Sequence, residues 1–206
     1  MKYTKKLPKT DFQLKQSLLE SGWKQIKEPK TLGMSILLSL PLSFLLGGFV
    51  LWIAYTLNPL LFSAFTADTF KISFTINLKT LVYLIVIYLY MLIHELVHAF
   101  FVPNFFESEK TFFGLNGMFG FVFTTEPMKK NRFLLISVMP FFLLSIVPLF
   151  VFNFFGILNW YTLGLCLINA TGSCVDFLNM LFVGFQVKNN STIINNGFET
   201  YYHFIK

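Results

Sequence analysis

The chain has 206 residues and a formal net charge of +6, with 55% hydrophobic and only 13% charged residues. A soluble domain carries about 25% charged residues, so this composition excludes an ordinary water-soluble globule and points to a chain solvated by lipid. The basic balance does not indicate nucleic acid. No nucleic-acid motif accompanies it, and the lysines lie mostly outside the apolar runs, as groups that anchor a chain at a membrane surface do.

Residues 1–33 are polar and hold eight of the 16 lysines and arginines. They are too long and too charged for a signal peptide, and no A-x-A-like cleavage site follows the first apolar run. Phe12, Leu18, Leu19 and Trp23 predict a short amphipathic helix on the membrane surface, with a plain solvated tail as the alternative. Four apolar segments follow, each long enough for the roughly 20 residues that a bilayer requires. They run over 34–57, 80–102, 133–155 and 157–185, and Pro103 marks the end of the second. Phe154-Phe155-Gly156 is a tight connection that folds the last two into a helical hairpin. Between the second and third lies FFGLNGMFGFVFTT, where Asn116-Gly117 between strand formers predicts a small β-hairpin, against an ordinary interfacial loop.

The fold expected is therefore an all-α integral membrane protein, one domain over 1–206, with four transmembrane helices and a small β-hairpin between helices two and three. Fourteen of the 16 lysines and arginines fall in residues 1–33, 103–132 and 186–206, which places both termini and the 186–206 tail in the cytoplasm of a multi-pass cell-membrane protein. Cys166 and Cys174 are eight residues apart in one segment, about 12 Å along a helix, and read as free thiols.

The second segment contains MLIHELVHAFF. Ionisable groups in a lipid-embedded helix are costly, about 2.5–3.5 kcal/mol for Asp, Lys or Arg, so three together call for a reason. His94, Glu95 and His98 fit H-E-x-x-H. On a helix the two imidazoles lie one turn apart on one face and can hold one Zn²⁺, while Glu95 serves as general base toward water. The alternative is a set of polar residues bonding between helices. A catalytic zinc takes three protein ligands. Asp176, in the fourth segment, is the other acidic residue in an apolar span, and Asn169, Ser173 and Asp176 form a polar stripe at i, i+4, i+7, with Asn179 near it. Counted along the helices, Asp176 lies at a similar depth to His94 and His98. Glu199 and His203 in the tail are rival third ligands.

The segments IHELVHAFF, ISVMPFFLLSIVPL and NATGSCVD resemble the Putative zincin peptidase family of small bacterial membrane proteins, and their order is similar to that of site-2 proteases, which are intramembrane zinc metalloproteases. The resemblance covers roughly residues 80–185. It implies His94, His98 and Asp176 as metal ligands, Glu95 as general base, and Asn169 as a substrate-binding residue. Met139-Pro140 departs from the Gly-Pro of site-2 proteases, and the fourth segment lacks their proline and has Asp176-Phe177 in place of Asp-Gly. The function expected is an intramembrane zinc metalloprotease acting on a membrane protein or peptide in or beside the bilayer. The competing readings are a non-catalytic membrane binding or scaffold protein with a structural or vestigial metal site, and a zinc hydrolase acting on a lipid or small substrate.

Overall fold

The computed structural model describes residues 2–5, 9–65, 75–116 and 119–204. Strand β1 (Lys2–Tyr3) comes first, then helix α1 (Phe12–Glu20) and strand β2 (Lys24–Gln25). Asp11 caps α1 by accepting from the Gln13 and Leu14 amides. The amphipathic helix expected around Phe12–Trp23 is thus present. It buries Leu18 within the protein and leaves Phe12 exposed.

The four expected spans are all helical, and each is long and apolar enough to cross a membrane: Leu32–Leu57, Leu78–Phe101, Lys130–Phe154 and Trp160–Gln186. The first is α2 (Leu32–Leu57) and the second is α3 (Leu78–Phe101), which opens on a capping box at Asn77 and Thr80. A hairpin of β3 (Thr111–Asn116) and β4 (Phe119–Thr124) follows, with Asn116 paired to Phe119. The hairpin was expected, with its turn at Asn116-Gly117; Gly117 and Met118 lie outside the described residues. Strand β5 (Met128–Lys129) leads directly into α4 (Lys130–Phe141). A π-helical turn at Phe142–Ile146 joins α4 to α5 (Val147–Phe154), so one span contains both. The last span is α6 (Trp160–Gly172) and α7 (Cys174–Gln186), broken at Gly172-Ser173, a pair of residue types that commonly bends helices.

The all-α expectation, with one small hairpin, needs correction. Residues 186–206 are not a plain tail. Strands β6 (Ser191–Asn196) and β7 (Glu199–Phe204) form a second hairpin, turned at Gly197-Phe198. Gly197 has φ +62° at the first central position, the arrangement of a two-residue turn that demands glycine there. The described strands make two sheets, ordered β1-β3-β4 and β2-β7-β6-β5. Each sheet takes one edge strand from the N-terminal segment. The N-terminal segment, the 102–129 connection and the C-terminal hairpin therefore meet at the same end of the helices. These are the segments that hold most of the lysines.

The helical core is formed where α2 lies against α6 and α5. Val50, Ile53, Ala54, Leu149, Leu163 and Cys166 meet there with little or no exposure. A second cluster, Ile26, Val183, Val187 and Ile193, welds the C-terminal hairpin onto the end of α7. The Lys130 ammonium donates to the Gly184 and Val187 carbonyls at that end, satisfying acceptors the helix leaves open. Both cysteines are free and buried, as expected.

Candidate metal centre

His94 and His98 project from α3, one turn apart, toward the α6–α7 break. Their Nε2 atoms lie 3.1 Å from each other. Asp176, in the first turn of α7, brings Oδ2 to 3.3 Å from His94 Nε2 and Oδ1 to 3.4 Å from His98 Nε2. Asp176, expected near the two histidines from its position along the fourth span, lies beside them. Among the described residues these three form the group that can hold a metal ion. Glu199 accepts from Lys15 and Tyr201, and His203 packs against the Trp23 ring, so both rival ligands are engaged elsewhere.

The donor set fits a metal. His98 Nδ1 lies 3.0 Å from the Ile136 carbonyl, which can only accept. His94 Nδ1 lies 2.8 Å from Asn169 Oδ1. That oxygen is fixed as an acceptor because Asn169 Nδ2 already donates to Pro140 O and Ser145 Oγ. Both imidazoles therefore carry hydrogen on Nδ1, and in their neutral form they present bare Nε2 lone pairs to each other and to a carboxylate. Three lone-pair donors facing one point repel unless a proton or a metal ion sits between them. In a tetrahedral site with bonds of about 2.0–2.1 Å, neighbouring donors lie about 3.3–3.4 Å apart. The observed separations of 3.1, 3.3 and 3.4 Å come close to that.

The acceptor for His98 comes from a proline. Pro140 has no N–H, so the carbonyl four residues earlier, Ile136, lacks its intrahelical partner and is left for His98. The same rule applies at Pro148, which cannot donate to Leu144 O. The Tyr90 hydroxyl of α3 donates there instead, at 2.5 Å. The Met139-Pro140 dipeptide thus has a structural reason in this chain. The sequence showed the proline, but not which carbonyl it releases or who takes it.

Asn169 is fully buried, and its side-chain oxygen and nitrogen are both committed within the protein. Glu95 points from α3 toward β4, where the Val122 amide donates to its Oε2 at 3.2 Å. Gly120 makes that approach feasible, since a Cβ there would sit 3.0 Å from Leu92 and 3.2 Å from Glu95. Glu95, His98 and Asp176 line one cavity of about 210 Å³ together with Val122, Asn179 and Asn195. Asn195 lies in the C-terminal hairpin and was not foreseen. The Asn-Asn-Gly run beside β-branched residues was the signal for it.

The family model described as Putative zincin peptidase matches residues 87–192, a little over half of the chain. The protein belongs to that family. The match runs from within α3 to the start of β6, so it contains all three donors and Glu95. No curated protein and no solved structure matches significantly.

Proposed function

We infer that the chain is an intramembrane zinc metallopeptidase, similar in arrangement to site-2 proteases, that hydrolyses peptide bonds in or beside the bilayer. The observation that carries this reading is the convergence of His94, His98 and Asp176 from two spans, with Glu95 in the same cavity. Family membership supports it. Zinc held by the three would supply Lewis acidity at the scissile carbonyl. The residues of the chain supply the rest. One Glu95 oxygen is held by the Val122 amide, which fixes the carboxylate between helix and strand. Its other oxygen takes the proton of the attacking water and returns it to the leaving amine. Strand β4, at an edge of its sheet among the described strands, offers main-chain groups other than the Val122 amide to an extended substrate. Asn169, sealed from the cavity, orients His94 and does not touch substrate. The lysine-rich sheets face the cytoplasm, and the substrate is a membrane protein or peptide.

The test is purified Glu95→Gln against wild type, both loaded with zinc, on fluorescein-labelled β-casein and quenched-fluorescence apolar peptides. The variant is expected to hold as much zinc as wild type and to cleave at least about 10²-fold more slowly. Cleavage at the wild-type rate would overturn the role of Glu95. Zinc binding by wild type without cleavage of any peptide would favour the non-catalytic reading.

A further inference from the structure

The cavity at the metal centre does not end there. A second cavity of about 210 Å³ lies against it, and Asn179, Asn195, Phe123 and Phe133 border both. The second cavity runs on toward Glu28, Ser35 and Thr200. The two cavities adjoin at the four shared residues, two amides and two aromatic rings, which form the neck between them.

Asn179 sits on α7 one turn beyond Asp176, so the two side chains share a helix face. It is half-buried, and among the described residues its amide has no side-chain hydrogen bond. An amide within an apolar span is costly unless it faces protein or a wet cavity. The other polar groups of this span have such partners: Asn169 as described above, and Ser173, which donates to Asn169 O. Across the neck, Asn195 on β6 has its Oδ1 3.3 Å from Thr200 Oγ1, whose proton it shares with the nearer Glu28 carboxyl, and among the described residues its side-chain amide nitrogen has no hydrogen-bond partner.

We propose that Asn179, with Asn195 across the neck, binds the main chain of an extended peptide that runs from the metal centre into the second cavity. A primary amide offers both a donor and an acceptor, the complement of a peptide group. A helical substrate has its main-chain groups satisfied internally, so only an unwound segment presents them. A lipid acyl chain presents none. Phe123 and Phe133 supply apolar walls that tolerate varied side chains. This reading rests on the peptidase function above and transfers substrate contact from Asn169, which is sealed in, to Asn179, which borders the cleft.

The experiment compares zinc-loaded wild type, Asn179→Ala, Asn179→Asp and Asn195→Ala on a quenched-fluorescence apolar decapeptide, recording zinc content, kcat and KM. All variants are expected to hold zinc as wild type does. Each is expected to lose about 10- to 100-fold in kcat/KM, chiefly through a raised KM. Asn179→Asp keeps the size of the side chain and loses its N–H donors, so wild-type kinetics in that variant would show a packing role and overturn the proposal. Loss of zinc from Asn179→Ala would overturn it too, by making Asn179 a support of the metal. Wild type that cleaves the decapeptide while the variants match it refutes this contact alone. Wild type that cleaves no peptide refutes the peptidase reading and this proposal with it.

Discussion

Pro140 and Asn169 show how single residues orient a set of donors that can hold a metal ion. Each fixes an acceptor opposite an imidazole Nδ1, and so aims a bare Nε2 at one point. Pro140→Ala restores an N–H at position 140, which competes with His98 for the Ile136 carbonyl. Removing a proline from a helix interior does not weaken the helix. The variant is therefore expected to keep its helical circular dichroism while its zinc affinity falls by roughly tenfold or more. Unchanged affinity, measured by competition with a chelator, would show that the released carbonyl has no part in holding His98. The three grouped donors were legible in the sequence because HExxH has a fixed spacing and Asp176 is an isolated acid in an apolar run. The Ile136 carbonyl was not legible, since a main-chain acceptor has no letter of its own.

At the scale of elements, the N-terminal segment is stitched to the C-terminal hairpin. Strand β2 pairs with β7, Asn196 bonds the Asp11 backbone in both directions, and Lys15 meets Glu199 at 2.7 Å. Burial opposes ionisation of Glu199, yet hydrogen bonds from Lys15 and Tyr201 hold its carboxyl below the usual range. Glu28 behaves in the opposite way. Burial raises its carboxyl to about 7, outweighing the hydrogen bonds from the Thr200 amide and hydroxyl. A carboxyl whose pKa rises on folding favours the folded state below its unfolded value of 4.5, and that contribution is lost as pH rises to about 7. The β2–β7 junction is thus expected to loosen between pH 4.5 and 7, as read by amide exchange at Gln25 and Tyr201, and Glu28→Gln should remove this pH dependence. The same dependence in the Gln variant would assign it to another group. The helices were legible because each is a long apolar run, whereas the C-terminal strands were not. Short amphipathic strands leave a weak pattern beside their Asn-Asn-Gly turn signal, and although β6 and β7 pair with each other, their outer partners β5 and β2 lie far away in sequence.

For the whole molecule, two unlike layers divide the work. Two of the four apolar spans carry the three donors, and two small sheets close over the lysine-rich end of the helices. The α3 span carries both histidines yet packs lightly, with His94 and Ala99 its buried residues, so the site lies near the flank of the bundle. The cleft passes between that flank and both sheets, bordered by β4 on one side and β6 on the other. The spans, the HExxH helix and the first hairpin could be read from the sequence, but this cleft could not, because its walls come from four distant segments of the chain.

The central claim is that His94, His98 and Asp176 hold one zinc ion together. Metal analysis of purified wild type, His98→Ala and Asp176→Ala tests it most directly. About one zinc per chain is expected in wild type, with most of it lost in both variants. Wild type without zinc, or Asp176→Ala with its full complement, would contradict it.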